Sequence, residues 1–249
     1  MRRVLVTGGA GFIGSHFIRI LLAEEADAQV VNLDVLTYAG NLANLADVAS
    51  SPRYRFVRGD IRDMKVAQEL AADADWIVNF AAESHVDRST KARAGEFIDT
   101  NVYGAYVMLE ATRQVNRGAR FLQVGTDEVY GDVPFPEFPT EQAMLAPSSP
   151  YSAAKAGADH IALAFHRTHQ MDVIVSRCTN NYGPNQYPEK VIPVFVTNAL
   201  DGEPLPLYDG GTQVRDWLRV EDHCRALLLL LRRGVAGEIY NIGANQTPE

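Results

Sequence analysis

The residues of this chain best suited to chemistry are Thr126, Asp127 and Glu128, considered together with Tyr151 and Lys155 further along. The triplet follows an apolar segment over residues 121–124, so Thr126 should emerge where a buried strand ends. In an open α/β sheet, ligands bind in the crevice at the carboxyl ends of the strands. Three successive polar side chains, two of them carboxyls, are therefore placed to line a pocket. A solvated turn is the alternative interpretation.

Tyr151 and Lys155 lie at positions i and i+4 where the next helix should begin. That spacing places the phenol and the ammonium on one face of the helix. A nearby ammonium favours the phenolate and lowers the pKa of the tyrosine, which would make Tyr151 a proton acceptor near neutral pH. Taken alone, this motif is better interpreted as a buried tyrosine and a surface lysine that share the spacing by chance.

The first residues of the chain carry a dinucleotide-binding pattern. Gly8, Gly11 and Gly14 form G-x-x-G-x-x-G between an apolar strand over 4–6 and a helical segment that begins at Phe12. Glycines let the backbone approach a pyrophosphate, which then lies at the helix N-terminus. The second strand ends in Asp34, which is placed to bind an adenosine ribose 2′-OH and to repel a 2′-phosphate. The pattern predicts NAD rather than NADP.

Apolar strands and helical segments alternate along the chain. The predicted strands cover 4–6, 30–33, 54–57, 76–80, 121–124 and 173–176, and the predicted helices cover 12–24, 64–72, 97–116, 152–169 and 222–232. This alternation predicts an α/β fold with a Rossmann-type, doubly wound parallel sheet. We expect residues 1–178 to form the NAD-binding domain and residues 179–249 to form a smaller domain, which the family resemblance given below implies to be an incomplete substrate domain. The proline-rich stretch 132–149 is expected to be a loop over the pocket.

Charge and composition exclude several classes of partner. The formal net charge of −8 at pH 7 leaves no basic surface for nucleic acid. Cys178 and Cys224 form neither a disulfide framework nor a metal-ligand cluster, so no metal site is expected and a reducing cytoplasm is favoured. No signal-peptide pattern is present, and the apolar run 227–231 is too short to cross a bilayer. We expect a cytoplasmic protein without a membrane partner.

Taken together, these residues resemble the extended short-chain dehydrogenase/reductase family and, within it, the dTDP-glucose 4,6-dehydratases. The similar segments run in family order along the whole chain: 7–15, 36–41, 81–89, 126–132, 147–155, 180–184, 188–190 and 215–218. The glycine motif is common to the superfamily. The segments TDEVYGD at 126–132 and AAESHVDRS at 81–89 are far more selective, so a chance match is not credible.

The resemblance implies a set of site residues, a cofactor and partners. The implied catalytic residues are Thr126, Asp127, Glu128, Tyr151 and Lys155. The implied NAD-binding residues are Gly8, Gly11, Phe12, Ile13, Gly14, Asp34, Leu36, Thr37, Asp60, Ile61, Ala81, Ala82, Ser84, Thr100, Tyr151, Lys155 and Asn180. The implied residues for a nucleotide-diphosphate sugar, dTDP-glucose, are Ser84, Thr126, Asp127, Glu128, Asn181, Lys190, Pro206, Tyr208 and Arg215. Which of Asn180 and Asn181 meets the cofactor stays open. A homodimer is implied, formed through the helices after Asp99 and Ser152.

The resemblance also implies a dehydration in three steps. Tyr151 takes the proton of the sugar 4-OH while hydride leaves C4 for the nicotinamide, and Thr126 hydrogen-bonds the same oxygen. Glu128 then removes the C5 proton as a base, and Asp127 protonates the departing 6-OH as an acid. Hydride returns to C6 and a proton to C5, which gives dTDP-4-keto-6-deoxyglucose. NAD is regenerated, so the cofactor is expected to stay bound.

Three features depart from the family pattern. Gly125 stands where serine is usual, Val35 stands where lysine is frequent, and the chain ends at Glu249, where family members continue. Two alternatives stay open. A nucleotide-sugar epimerase or decarboxylase of the same family would need the Thr, Tyr and Lys but no adjacent acid-base pair. A non-catalytic NAD-binding protein would keep the cofactor pattern and bind NAD without turnover.

Overall fold

The computed structural model describes residues 1–84, 94–134, 137–207, 209–211 and 214–245. Its strands are β1 (Arg2–Thr7), β2 (Ala28–Asp34), β3 (Tyr54–Arg58), β4 (Trp76–Asn79), β5 (Arg120–Thr126), β6 (Val173–Cys178), β7 (Asn180–Tyr182), β8 (Trp217–Arg219) and β9 (Ile239–Ile242). Its helices are α1 (Phe12–Glu24), α2 (Met64–Ala71), α3 (Ala94–Phe97), α4 (Ala105–Val115), α5 (Pro150–His169), α6 (Val191–Asp201) and α7 (Val220–Arg233). The predicted alternation of strand and helix is confirmed.

The main sheet has seven strands in the order β3-β2-β1-β4-β5-β6-β9, and every pairing is parallel. All residues of β4 and β6 are buried, as expected for parallel strands covered on both faces. The chain runs outward from β1 to β3 and then crosses to the other side of β1 at β4. This reversal is the topological switch point, where the carboxyl ends of the strands leave a crevice for a ligand. The predicted doubly wound sheet is confirmed.

Helices cover both faces of this sheet and divide its core into two layers. Along β5, Phe121 packs with the helices on one face and Leu122 with those on the other, because successive strand side chains point to opposite sides. One face is covered by α1 and α7, which pack against each other, and the other by α2, α4 and α5. These layers fix the positions of the strand ends that form the site.

The helical region before β5 differs from its prediction. We predicted one helix over 97–116, whereas the structure has α3, a π-helical segment over Ile98–Gly104, and then α4. The wide turn contains Thr100, which faces the cavity described below. Such segments are frequent at functional sites and leave no periodic signal in a sequence. Over residues 132–149, the described part contains no helix or strand, as predicted.

The last third of the chain contributes to two regions. β7 pairs with β8 in a small parallel sheet, and no residue of α6 is buried. However, β9 pairs with β6 in the main sheet, and α7 packs against α1. The division at residue 178 stays a prediction, but the segment 179–249 is not wholly outside the first domain. The return of β9 depends on long-range pairing, which local patterns do not encode.

The leucine run in α7 is a core face, as predicted. Leu227, Leu228, Leu230 and Leu231 are buried, and Leu229 is half exposed. Across the described ranges, no helix has the length and apolarity needed to cross a bilayer.

Candidate active site

A cavity of about 370 Å³ opens at the carboxyl ends of the strands, beside the switch point. Its lining includes these residues predicted to bind the cofactor: Gly8, Gly11, Phe12, Ile13, Gly14, Asp34, Thr37, Asp60, Ile61, Ala81, Ala82, Ser84, Thr100, Tyr151, Lys155 and Asn180. Leu36 does not line the cavity, and its contact with NAD stays a prediction. Its backbone takes a left-handed conformation at φ 59°, and its amide donates to Asp34 Oδ1.

The turn from Gly8 to Gly14, called the cradle below, packs so closely on neighbouring backbone that a Cβ atom at Gly8 or Gly14 would clash with it. Gly8 has φ +69°, and a Cβ added there would lie 2.7 Å from the amide nitrogen of Ala81. A Cβ on Gly14 would lie 2.5 Å from the carbonyl oxygen of Gly8. Gly11 caps α1 without a side-chain hydrogen bond, so the first amides of the helix face the cavity uncapped by any side chain. This geometry fits the pyrophosphate of a dinucleotide.

Asp34 is held in position by the backbone around it. Its Oδ2 accepts from the amide of Ala10 at 2.9 Å, and its Oδ1 accepts from the amide of Leu36 at 2.8 Å. Burial raises the pKa of this carboxyl, and the two amides oppose that rise. Each carboxylate oxygen keeps a second lone pair, so Asp34 can still accept from a ribose hydroxyl.

Thr126 ends β5, and a 3₁₀ turn over Asp127–Tyr130 follows it at once. Thr126 Oγ1 caps this turn by accepting from the amide of Glu128 at 3.3 Å, and it lies 3.4 Å from Asp127 Oδ1. A second cavity of about 820 Å³ adjoins the first, and Asp127 and Glu128 line both. The carboxyl pair therefore stands where the two cavities meet. This position supports a pocket wall rather than a solvated turn.

The two carboxyls have different electrostatic environments. Burial, and then the charge of Glu128, raise the pKa of Asp127 from 3.8 to about 6. Burial also raises the pKa of Glu128, but the positive charges of Lys190, Arg215 and Lys155 oppose that rise. Cations near Glu128 favour its ionised form, and the neighbouring anion favours a proton on Asp127. This separation suits an acid at Asp127 and a base at Glu128.

Tyr151 and Lys155 lie in the first turns of α5, where a capping box between Ser149 and Ser152 fixes the start of the helix. Lys155 is buried, and its Nζ donates to the carbonyl oxygen of Val124 at 2.6 Å. Both residues line the first cavity beside the carboxyl pair, as predicted.

The predicted lowering of the pKa of Tyr151 is wrong for the protein by itself. Burial, followed by the negative charges of Glu128 and other groups, raises the pKa of Tyr151 well above 10. Burial also lowers the pKa of Lys155, although the charge of Asp159 opposes this change. The spacing of the two residues was informative, but the burial that governs the phenol comes from other elements.

The predicted substrate residues are partly brought together. Ser84, Asn181 and Lys190 line the first cavity, and Lys190 and Arg215 line the second. Pro206 is exposed and lines neither cavity, so its role stays a prediction, and Tyr208 lies outside the described residues. Both Asn180 and Asn181 line the first cavity, which leaves their division of roles open.

The sequence analysis missed two residues of the cavity wall, Tyr187 and Glu189, and Tyr38, which contacts both. The hydroxyl of Tyr38 donates to the carbonyl oxygen of Ser84 at 2.6 Å and lies 3.3 Å from Glu189 Oε1. Its ring packs edge-on against that of Tyr187, with the centroids 5.3 Å apart. These contacts join the loop after β2 to the segment before α6. The resembling segments 36–41 and 188–190 contain Tyr38 and Glu189, so closer attention to those segments would have found them.

Among the residues that the structure describes, no group of three or more His, Cys, Asp or Glu side chains could hold a metal ion. Both cysteines are buried thiols.

Comparison with known proteins places these features in context. A family model for GDP-mannose 4,6 dehydratase matches residues 5–248. A dTDP-glucose 4,6-dehydratase from Streptomyces niveus is 53% identical over 245 residues, which are 97% of this chain and 72% of that protein. The chain thus spans about three quarters of the length of such relatives.

Solved structures agree with the sequence comparison. A dTDP-glucose 4,6-dehydratase from Streptomyces venezuelae, with NAD and dTDP bound, superposes with a TM-score of 0.93 at 54% identity, covering 96% of this chain and 75% of that one. The enzyme from Bacillus anthracis in complex with NAD gives a TM-score of 0.92 at 48% identity, covering 99% and 76%.

Proposed function

Because the chain belongs to the GDP-mannose 4,6 dehydratase family, we propose that it is an NAD-dependent dTDP-glucose 4,6-dehydratase. The observation that carries this proposal is the position of Asp127 and Glu128. They form an adjacent acid-base pair at the junction of two cavities, beside Tyr151 and Lys155. An epimerase has no use for that pair, because it needs no elimination of water. The relatives reported above carry the name of the same reaction.

NAD is held, in this proposal, by the cradle at Gly8 and Gly14, the N-terminus of α1 and the carboxylate of Asp34. When bound, NAD supplies the oxidant that accepts two electrons from C4 and returns them at C6. Its nicotinamide carries a positive charge, which would lower the pKa of Tyr151. The protein by itself raises that pKa. The cavity wall formed by Ala81 and Ala82 has small side chains, so a flat ring can approach the backbone.

The side chains of the site then divide the proton transfers among them. Tyr151 accepts the proton of the sugar 4-OH, and Thr126 donates a hydrogen bond to the same sugar oxygen. Lys155 supplies a fixed positive charge, because its ammonium is anchored on the carbonyl of Val124. Glu128 removes the C5 proton once C4 is a ketone, and Asp127 protonates the departing 6-OH. Glu128 then returns its proton to C5.

Two cationic side chains on the wall of the second cavity are placed to bind an anionic substrate. Lys190 and Arg215 lie on the wall that the carboxyl pair shares, and both act electrostatically on Glu128. Arg215 is the better partner of a diphosphate, because a guanidinium binds phosphate oxygens through two parallel hydrogen bonds. Asn181 is fixed by His223, whose Nδ1 lies 2.9 Å from Asn181 Oδ1. The proposed substrate is therefore a nucleotide-diphosphate sugar.

Product analysis with dTDP-glucose tests the proposal directly. The 4-keto-6-deoxy sugar absorbs in alkali, whereas an epimerised hexose does not. We expect the alkaline absorbance to appear with dTDP-glucose and the purified protein saturated with NAD. A hexose epimer as the product would establish the rival enzyme class. NAD binding without any product would establish a non-catalytic protein.

We also infer that the protein is a cytoplasmic homodimer. Its two buried thiols suit a reducing compartment. Tyr103 and Tyr106 are 51% and 38% exposed on the helical region before β5, and Tyr106 packs on Phe165 of α5. An exposed aromatic surface of this kind suits the subunit contact that the family resemblance implies. Sedimentation equilibrium tests this inference, because a monomer mass at micromolar concentration would contradict it.

A further inference from the structure

A buried ion pair lies behind the carboxyl pair, and the proposed chemistry does not use it. Arg177 of β6 is 2% exposed, Asp159 of α5 is fully buried, and the guanidinium Nε donates to Asp159 Oδ2 at 2.9 Å. Asp159 Oδ1 accepts no hydrogen bond from any described residue. Burial raises the pKa of Asp159 to about 6 despite the opposing charge of Arg177. Such pairs are poor stabilisers, because desolvation offsets much of their attraction.

On one side, the ion pair contacts the turn that carries the proposed acid and base, and we call this contact the Tyr130 arm. Arg177 Nη1 donates to the hydroxyl of Tyr130 at 2.9 Å, and the guanidinium lies 4.9 Å from the centroid of the Tyr130 ring. Tyr130 is the last residue of the turn Asp127–Tyr130 and is buried. Its hydroxyl donates onward to Asn241 Oδ1 in β9 at 2.8 Å. The end of the turn is therefore held between β6 and β9.

On the other side, Asp159 belongs to the helix that carries Tyr151 and Lys155, and we call this connection the Asp159 arm. Asp159 follows Lys155 by one turn and Tyr151 by two turns of α5, so the three lie on one face. The charge of Asp159 raises the pKa of Lys155 against the effect of burial. Asp159 is thus both the partner of Arg177 and the counter-charge of Lys155.

The strand that ends in Thr126 packs against the same pair. A Cβ added to Gly125 would lie 2.9 Å from Asp159 Oδ1 and 2.6 Å from the carbonyl oxygen of Ser176. No side chain fits between β5 and the ion pair, so the backbone just before Thr126 lies directly on it. The pair therefore touches each element that carries a proposed catalytic group.

From these contacts, we propose that Arg177 is a positioning residue that aligns the turn of Asp127 and Glu128 with the helix of Tyr151 and Lys155. The alignment acts through Tyr130 on one side and through Asp159 on the other. This inference rests on the proposed function, because it assigns the two arms to the two halves of that reaction. The Tyr130 arm serves the elimination, and the Asp159 arm serves the oxidation at C4.

The Tyr130→Phe variant tests the Tyr130 arm, because it removes the hydroxyl and keeps the ring. We expect kcat to fall by about tenfold, since small displacements of catalytic groups have effects of this size or larger. The KM for dTDP-glucose and the amount of bound NAD should stay within about twofold, because the ring of Tyr130 stays in the wall of the second cavity and no group proposed to bind NAD or the diphosphate is changed. Reduced nicotinamide should accumulate during turnover, seen by its near-ultraviolet absorbance, because oxidation continues while elimination is slowed.

The Asp159→Asn variant tests the Asp159 arm and should give the opposite signature. It keeps an acceptor for Arg177 but removes the counter-charge of Lys155, so oxidation at C4 slows. We expect kcat to fall without accumulation of reduced nicotinamide. Tyr54→Phe is the matched control, because it removes a phenol hydroxyl that accepts from Asn32 Nδ2 at 3.0 Å, and Tyr54 lines neither cavity. The control should lower thermal stability slightly and leave kcat unchanged.

The outcomes separate the two proposals. A wild-type protein that dehydrates dTDP-glucose, with Tyr130→Phe at wild-type kcat, would refute the positioning role and leave the function intact. Equal losses in both arm variants without any difference in reduced nicotinamide would also refute it, since a packing defect predicts that result. A wild-type protein that binds NAD but forms no product would refute the proposed function and the positioning role with it.

Discussion

The cofactor end and the substrate end of the site are built in different ways. At the cofactor end, backbone lies on backbone, since Gly8 and Gly14 approach their neighbours more closely than any side chain allows. At the substrate end, Lys190 and Arg215 act on the carboxyl pair from long side chains, and Arg215 is exposed. The neighbouring helix α6 has no buried residue among its eleven.

This difference indicates how each end should respond to change. A cradle of backbone atoms has few conformations to lose on binding, whereas long charged side chains lose rotamer freedom when they order around a ligand. Substitutions at the cofactor end should therefore either abolish NAD binding by steric clash or leave it unchanged. Substitutions at the substrate end should act as graded losses of affinity. The carboxyl pair stands between the two ends, so substitutions there should act mainly on turnover.

The largest effect is expected where the two ends meet. Glu128→Gln removes the proposed base and keeps the size of the side chain, so we expect kcat to fall by about 10²- to 10⁴-fold. NAD content should be unchanged. Exchange of the C5 proton with solvent, followed by NMR in deuterated water, should stop in the variant. Glu69→Gln, on the exposed face of α2, is the control and should behave as wild type. Residual C5 exchange at the wild-type rate would remove Glu128 from the mechanism.

A second test blocks NAD binding at the cofactor end by steric clash alone. In Gly8→Ala, the new Cβ meets the amide of Ala81 and the backbone is held at φ +69°, a conformation with a strain of roughly 1–3 kcal/mol for other residues. We expect NAD binding to be lost in calorimetric titration. Gly95→Ala is the matched control, because a Cβ there meets nothing within 4 Å. If both variants bind NAD equally well, the cradle is not the cofactor site.

A third test examines the graded response of the substrate end. Arg215→Ala removes a charge proposed to bind the diphosphate, so we expect KM for dTDP-glucose to rise by about tenfold to a hundredfold. NAD affinity should not change, which separates the two ends. Arg219→Ala is the control, since that guanidinium is exposed and pairs with Glu221 at 2.9 Å. An unchanged KM would place the diphosphate elsewhere.

The contrast between the ends also explains what the sequence could predict. The turn from Gly8 to Gly14 and the acid at Asp34 were predictable, because they stand at a characteristic spacing in one short part of the sequence. Thr126, Asp127 and Glu128 were predictable for the same reason, since one strand end presents all three. The doubly wound sheet followed from the alternation of apolar strands and helices.

Other features depend on atoms that are distant in the sequence. The raised pKa of Tyr151 arises from burial and from carboxyls on another element, so its spacing from Lys155 gave the wrong direction. Leu36 does not line the first cavity, and its amide donates to Asp34 Oδ1. The pairing of Arg177 with Asp159, and the return of β9 to the main sheet, are likewise long-range events. No local pattern encodes them.

The smallest expected effect is on the free energy of unfolding. It tests whether the ionised carboxyl of Asp127 destabilises the folded protein. The pKa of Asp127 is raised from 3.8 to about 6, so the folded protein binds this proton more tightly than the unfolded chain. The resulting stability is complete below about pH 4 and is lost as the pH rises through about 6. Asp127→Asn removes the ionised carboxyl. At pH 8 the variant should therefore be more stable by on the order of 1 kcal/mol, although inactive.

Thermal unfolding at two pH values checks this prediction. At pH 8, the midpoint of Asp127→Asn should exceed that of wild type by about 2–4 °C, as expected for a chain of this size. At pH 4, the two midpoints should converge, because Asp127 is then protonated in wild type. Asp201→Asn, at the exposed end of α6, should show no such pH-dependent difference. A variant less stable than wild type at pH 8 would mean that the ionised carboxyl stabilises the turn, and the site would then hold Asp127 as an anion rather than as an acid.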